Sequence, residues 1–258
     1  VKLGLVTYNL AKDWDVPTII EMCEKTGFAG VELRTTHAHG VEASLSQQER
    51  KDIKARFADS SVDIVGLGSI FEFHALDPDE VKRNIEGTKQ YVQLAHDVGA
   101  VGVKVRPNGL QIKEGISEEQ TLRQIGEALR ECGQFAADYG VEIRLEMHGK
   151  LTSEAARIKQ IMDFADHDHV AACWNSNTVD VKDGSIAGDF SMVRDKIRLV
   201  HINDLWKAAY GEYPYDELFG LLKQSGYEGF CCAEIQASPE PERLMRYYKA
   251  LFEAYVSN

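Results

Sequence analysis

Residues 96–106 read HDVGAVGVKVR. An amphipathic run of helical period ends at Val98, Gly99 interrupts it, and the residues after Ala100 alternate between apolar and charged. Glycine tolerates the left-handed backbone that stops a helix, so the phrase predicts a helix stop followed at once by a strand. The same phrase returns as EKTGFAGVELR at 24–34, ADYGVEIRLE at 137–146 and KQSGYEGFCCAE at 223–234. Counted outward from these four, strand-like runs occur near 3–8, 30–35, 63–69, 102–107, 142–147, 170–175, 198–203 and 229–235. Amphipathic stretches separate them, one opened by Asp77-Pro78 and another by Ser117 with Glu119 and Gln120 close behind, both helix-start signals. Residues 176–196 carry the weakest helical pattern of the set. Eight strands alternating with helices in 258 residues predict a single (β/α)8 TIM barrel spanning 1–258 as one domain. A doubly wound open sheet fits less well, because TYNLAKDW after the first strand lacks a Gly-rich turn.

Bulk composition narrows the function. Hydrophobic residues make up 44% and charged residues 27%, an ordinary globular balance with core enough for one large domain. No apolar run reaches the roughly 20 residues that cross a bilayer, so no membrane partner is expected. A net charge of −12 argues against a nucleic-acid partner, whose phosphates are met by Lys and Arg. Five cysteines show no CxxC spacing and three lie in apolar runs, so a reducing compartment, the cytoplasm, is the simplest reading. The chain starts at Val1, which leaves a removed leader open. A homo-oligomer is also left open.

Residues two apart on a strand share a face. In EIRLEMH, Ile143, Leu145 and Met147 oppose Arg144, Glu146 and His148. In GVKVRP, Val103 and Val105 oppose Lys104 and Arg106, and in GVELRT, Val31 and Leu33 oppose Glu32 and Arg34. His201 and Asn203, Glu234 and Gln236, and Cys173 and Asn175 fall on the equivalent face of their strands. The apolar set faces the helices and the polar set faces the barrel interior. Charges there need partners or a metal, and an ion-pair network of Glu32, Arg34, Lys104 and Arg106 is the plainest use for those four. Glu146, His201 and Glu234 stand near strand C-termini, where sites form in such barrels. Two carboxylates and a histidine at one mouth suit one divalent cation such as Mn²⁺, Mg²⁺, Co²⁺ or Zn²⁺. HAHG at 37–40 is placed after strand two, near that mouth, whereas DHDH at 166–169 is expected to be a solvated helix cap on the opposite rim.

With GFAGVELR at strand two, GVKVRPNG at strand four, VEIRLEMHG at strand five, LVHINDLW at strand seven and FCCAEIQ at strand eight, the chain resembles the xylose-isomerase-like TIM-barrel superfamily, and within it the sugar phosphate isomerase/epimerase branch. That resemblance implies a metal site of Glu146, Asn175, His201 and Glu234. Asn175 stands where the branch has an aspartate, and Thr178 stands where relatives often carry His or Asn. An amide for a carboxylate removes one ligand charge, so weaker metal binding, another metal preference or a site completed by substrate is expected, with Asp180 as a loop carboxylate in reserve. The implied reaction is isomerisation or epimerisation of a small sugar or keto-sugar through α-proton abstraction and an enediolate, with Glu146 and Glu234 as the paired acid and base. His148, Arg106, Lys104, Glu32 and Lys207 are the implied substrate contacts. Lyase or dehydratase chemistry on a keto-sugar or keto-acid shares the same first step. A degenerate barrel that binds sugar without turnover is the further alternative, with Asn175 as its best support. A metal-cluster phosphodiesterase is disfavoured by eight dispersed histidines and the negative charge.

Overall fold

Strand β1 (Lys2–Val6) pairs in parallel with β2 (Gly30–Arg34) on one side and with β8 (Phe230–Ala233) on the other, which closes the sheet. Around the circle follow β3 (Asp63–Glu72), β4 (Gly102–Arg106), β5 (Glu142–Glu146), β6 (Val170–Asn175) and β7 (Ile197–Ile202), every neighbouring pair parallel. The computed structural model describes residues 1–206 and 213–257. Closure in chain order leaves no sheet edge exposed, and the expected (β/α)8 barrel is the observed fold.

Helices α1 (Val16–Thr26), α2 (Gln47–Ala58), α3 (Pro78–Val98), α4 (Glu118–Ala137), α5 (Ala155–Ala165), α6 (Ala187–Val193), α7 (Tyr215–Gln224) and α8 (Pro241–Ser257) follow their strands in order. Gly27, Gly99, Gly140 and Gly226, the helix-stopping glycines of the four repeated phrases, all have positive φ, a conformation that costs a residue with a Cβ about 1–2 kcal/mol. Ser117 and Gln120 exchange side-chain and backbone hydrogen bonds in a capping box at the start of α4, and Asp77 caps α3 with Pro78 at its first position. After β6 the weak helical pattern yields only a 3-10 turn at Thr178–Asp180, the seven-residue α6 and a second 3-10 turn at Arg194–Lys196. Among the described residues no helix is long and apolar enough to cross a membrane.

Face parity sorts the interior into two apolar bodies. Val31, Leu33, Val103, Val105, Ile143, Leu145, Ala172, Trp174, Val200 and Ile202 are buried in the large cluster between sheet and helices. Trp174 meets Phe190 of α6 edge-on, ring centres 5.4 Å apart, and its Nε1 donates to the Tyr213 hydroxyl at 3.0 Å. Burying each such side chain contributes roughly 1.5–3 kcal/mol. A second, smaller cluster joins Val6, Val65, Cys173, Leu199 and Cys232 and forms an apolar plug within the barrel. All five cysteines are free and buried. Glu32, Lys104, Glu146 and His201 share the interior face with this plug, and Arg144, also buried there, turns to Glu142 at the start of β5.

Candidate active site

His201, on β7, is fully buried and has a partner on each ring nitrogen's side. Nε2 lies 3.1 Å from Oε2 of Glu32 on β2. Nδ1 points to Glu146 Oε1 at 3.4 Å and Glu234 Oε1 at 3.8 Å. A carboxylate oxygen only accepts, so the Glu32 bond puts the proton of a neutral imidazole on Nε2 and leaves the Nδ1 lone pair facing the two glutamates. Glu32 fits in the barrel because β3 passes it with Gly68, where a Cβ would sit 2.7 Å from Glu32 Oε1. Glu146 ends β5 and receives Lys104 of β4 on its other oxygen, Nζ to Oε2 at 2.6 Å. Asn175, the last residue of β6, donates its Nδ2 to Glu146 Oε1 at 3.3 Å. Glu234 follows the last residue of β8, held by its backbone N–H on the Ile202 carbonyl at 2.9 Å. Six strands therefore bring six polar side chains to one end of the barrel.

Electrostatics explains why these charges tolerate burial. Burial works against the charge on Glu146, but Lys104 and His201 prevail and hold its carboxyl well below the usual carboxylate range. Glu32 is likewise lowered despite burial, by His201 and Lys104. Burial disfavours the imidazolium of His201, yet Cys173, Glu32 and Glu234 around it favour the proton and raise its pKa well above the ordinary value. Lys104 is raised in the same way, Glu146, Glu32 and Glu234 outweighing its burial.

The donor set fits a divalent cation. Ligand atoms of Glu146, His201 and Glu234 lie within 4.8 Å of one another. His201 Nδ1 in this cluster, and Oδ1 of Asn175, whose Nδ2 leans on Glu146, are buried without a hydrogen-bond partner, although an unmet buried polar atom costs about 1–3 kcal/mol. With His201 neutral, as a ligand must be, Glu32, Glu146 and Glu234 carry three negative charges against one positive on Lys104, and the raised pKa of His201 shows the ring taking a proton when no cation balances them. One divalent ion balances the remainder, and a mixed oxygen and imidazole set suits Mn²⁺, Zn²⁺ or Co²⁺.

The model of the family described as xylose isomerase-like TIM barrel matches residues 20–253. The chain belongs to that family. An inosose isomerase of Halalkalibacterium halodurans is 23% identical over 244 residues, covering 88% of this chain and 83% of the relative. Among solved structures, a D-psicose 3-epimerase with D-tagatose from Clostridium cellulolyticum superposes with a TM-score of 0.82 at 16% identity, covering 99% of each chain. An IolI protein with a bound zinc atom superposes with a TM-score of 0.76 at 20% identity, covering 100% of this chain and 98% of the other.

Within this family fold, the other residues singled out from sequence divide sharply. Arg34, Arg106, Glu32 and Lys104 do not form one ion-pair network. Arg34 lies over the Tyr8 ring at 5.1 Å, Arg106 pairs with Glu72 at 2.9 Å, and of the four Glu32 and Lys104 stay with the central cluster, because Arg34 and Arg106 are the last residues of β2 and β4 while Glu32 and Lys104 sit two residues deeper. Arg144 turns away from the mouth to Glu142 and the Val65 carbonyl. Asp180 does not join the ligand cluster; it is buried in the 3-10 turn after β6. His148 is half-buried at the rim, its Nδ1 2.5 Å from Asn108 Oδ1, and burial lowers its pKa against the pull of Glu146. His39 spends both ring nitrogens on the Arg34 carbonyl and the Val41 N–H, and His37 meets Thr7 Oγ1 at 3.0 Å. In DHDH, Asp166 caps α5 and His169 meets the Val141 carbonyl. Lys207 lies outside the described residues.

Sequence reading passed over Glu72 and Asn108. Strand β3 runs to Glu72 rather than stopping near residue 69, and continuing the alternation through SIFE would have placed Glu72 on the same face as Gly68. Asn108 sits beyond β4 in a loop where strand parity carries no information.

Proposed function

We propose that the chain is a divalent-metal-dependent isomerase or epimerase of a small sugar or keto-sugar, with Glu146, Asn175, His201 and Glu234 as the metal ligands. The observation that carries this reading is the convergence of Glu146, His201 and Glu234, whose ligand atoms lie within 4.8 Å of one another, with Asn175 at the end of β6 keeping a buried Oδ1 that has no hydrogen-bond partner. Bound there, a divalent ion supplies Lewis acidity toward a substrate carbonyl and its neighbouring hydroxyl. Of Glu146 and Glu234, one takes the proton from the carbon beside that carbonyl and the other delivers a proton to the adjacent carbon or the opposite face. Lys104 keeps Glu146 ionised from below, and Glu32 orients His201; both support the site rather than touch the sugar. His148 and Arg106 stand on the rim, where a sugar's hydroxyls would meet them. The relatives add weight, since an inosose isomerase and a D-psicose 3-epimerase both act on polyhydroxylated carbonyl compounds. Five free thiols suit the reducing cytoplasm.

Lyase or dehydratase chemistry begins with the same proton abstraction. A barrel that only binds sugar is less well supported, because an Asn175 that had merely lost its ligand role would not keep a buried oxygen without a hydrogen-bond partner. Incubation of the purified protein with Mn²⁺ in D₂O, against a panel of ketohexoses and inososes, tests the proposal. Deuterium at the carbon beside the carbonyl, together with a new isomer, is the expected result. Deuterium with loss of water from the sugar would move the reading to a dehydratase. Absence of both exchange and stoichiometric metal would sink the enzyme reading in favour of a binding barrel.

A further inference from the structure

One wall of the mouth is a continuous chain of hydrogen bonds through Arg106, Glu72, Asn108 and His148. Glu72 Oε1 accepts from Arg106 Nη2 at 2.9 Å and also from Asn108 Nδ2. Asn108 Oδ1 meets His148 Nδ1 at 2.5 Å. The direction of this chain is dictated by chemistry. A carboxylate oxygen accepts, so the face of Asn108 turned to Glu72 is its NH₂ group. Its carbonyl oxygen is then the atom facing His148, and since that oxygen also only accepts, Nδ1 is the protonated ring nitrogen. In the neutral ring Nε2 carries the lone pair, and among the described residues it makes no hydrogen bond to protein.

The backbone is arranged to hold Asn108 in this position. Asn108 has φ 52°, the left-handed region that asparagine tolerates better than most residues. Gly149, directly after His148, has φ 92°, and a Cβ on it would fall 2.6 Å from Asn108 Cα. The loop after β4 can therefore press against the loop after β5 only because Gly149 has no side chain. Thr152 Oγ1 donates to the His148 carbonyl at 2.9 Å and fixes the other side of the residue. Left-handed backbone at Asn108, which carries a Cβ, is the kind of local cost that persists where the surroundings over-determine it.

We propose that Glu72 and Asn108 are positioning residues that lock His148 in its Nδ1–H tautomer and present Nε2 as a hydrogen-bond acceptor to a hydroxyl of the bound sugar. The substrate half of this statement rests on the sugar isomerase reading; the tautomer half does not. In the opposite tautomer His148 would offer an N–H where a hydroxyl needs an acceptor, so the relay selects which sugar oxygens arrive protonated at that wall.

The tautomer is read directly by ¹⁵N NMR on histidine-labelled protein loaded with diamagnetic Zn²⁺, at about pH 8 where a neutral imidazole dominates. The His148 signals are assigned by their loss in His148→Gln. The expected pattern is a pyrrole-type Nδ1 and a pyridine-type Nε2. Glu72→Ala frees the Asn108 amide to turn over, and Asn108→Leu removes the acceptor; both should shift the two nitrogens toward averaged values while the His39 signals stay in place as a check of folding. Glu72→Gln should restore the wild-type pattern, because its amide oxygen can accept both bonds that Oε1 accepts. A pyridine-type Nδ1 in the wild type, or an unchanged pattern in both Glu72→Ala and Asn108→Leu, would overturn the proposal. Because the readout needs no turnover, inactivity on every sugar would remove the isomerase reading and leave the relay standing.

Discussion

His201 and Glu32 sit 169 residues apart in the chain and 3.1 Å apart in the barrel, with both side chains fully buried. Their bond fixes which imidazole nitrogen faces the carboxylates, the role that a second carboxylate plays behind many metal-bound histidines. Glu32→Gln weakens that orientation and removes one of the charges that a cation would balance. We expect a loss of about 10–100-fold in divalent-metal affinity, measured by competition with a chelating dye, with the fold retained. Unchanged affinity would show that Glu32 does not act on the metal through His201.

Glu146 and Glu234 should separate as stability and chemistry probes. Glu146→Gln strands the buried Lys104 ammonium, whose Nζ is 2.6 Å away, and breaking one side of a buried pair costs about 3–5 kcal/mol. Glu234 is more exposed, and among the described residues its ion-pair contact is with His201 at 3.8 Å, so Glu234→Gln should fold normally. Deuterium exchange into an accepted substrate should nevertheless fall about 10²–10⁴-fold in Glu234→Gln, the range for a lost general acid or base. Thermal melts alongside the exchange assay distinguish the two losses. Retained exchange in a well-folded Glu234→Gln would remove Glu234 from the proton transfer.

The barrel and its central cluster were legible because both follow from periodicity. Helix-stopping glycines recur at 27, 99, 140 and 226, and a period of two places Glu32, Lys104, Glu146, Asn175 and His201 on one face. Partner choice was not legible. Whether Lys104 meets Glu32 or Glu146, and whether Arg34 joins them or stacks on Tyr8, depends on barrel stagger, which shifts register at β2–β3, β3–β4 and β6–β7. The Glu72–Asn108–His148 relay was hidden for a related reason: one member lies past the expected end of its strand, and another sits in a loop with left-handed backbone.

Asp180 makes stability depend on pH. It is buried with neither carboxylate oxygen hydrogen-bonded. Burial, then repulsion from Asp189, pushes its pKa up to about 7, against the pull of Lys182. The folded chain thus holds this proton more tightly than the unfolded chain, whose aspartate titrates near 3.9. Folded protein binds more protons between those values, so stability falls as pH rises from about 4 to 7 and stays reduced above 7. Asp180→Asn removes the penalty. We expect it to stabilise the protein by roughly 2–4 kcal/mol at pH 8 and to change little at pH 4, followed by urea unfolding at both values. Equal effects at the two pH values would show that the Asp180 charge is not the cause.

Asn175 is the sharpest test of the metal site, because the family resemblance places an aspartate at this position. Its Nδ2 leans on Glu146 Oε1 at 3.3 Å while its Oδ1 is buried and unpartnered. In the metal-bound state the argued role of Oδ1 is a neutral ligand, and the charge count of three glutamates and one lysine already matches a divalent ion. Asn175→Asp adds a fourth negative charge without changing shape. Two outcomes follow from the same electrostatics. Divalent-metal affinity should rise by on the order of tenfold, since affinity at such sites scales with ligand charge. The metal-free protein should lose stability, because the new carboxylate replaces the amide that donates to Glu146 and sets like charges side by side. Titration calorimetry with Mn²⁺, paired with melts in chelator, reads both. An Asn175→Asp protein whose metal affinity is unchanged would exclude Oδ1 from the ligand set and return Asn175 to a structural role at the end of β6.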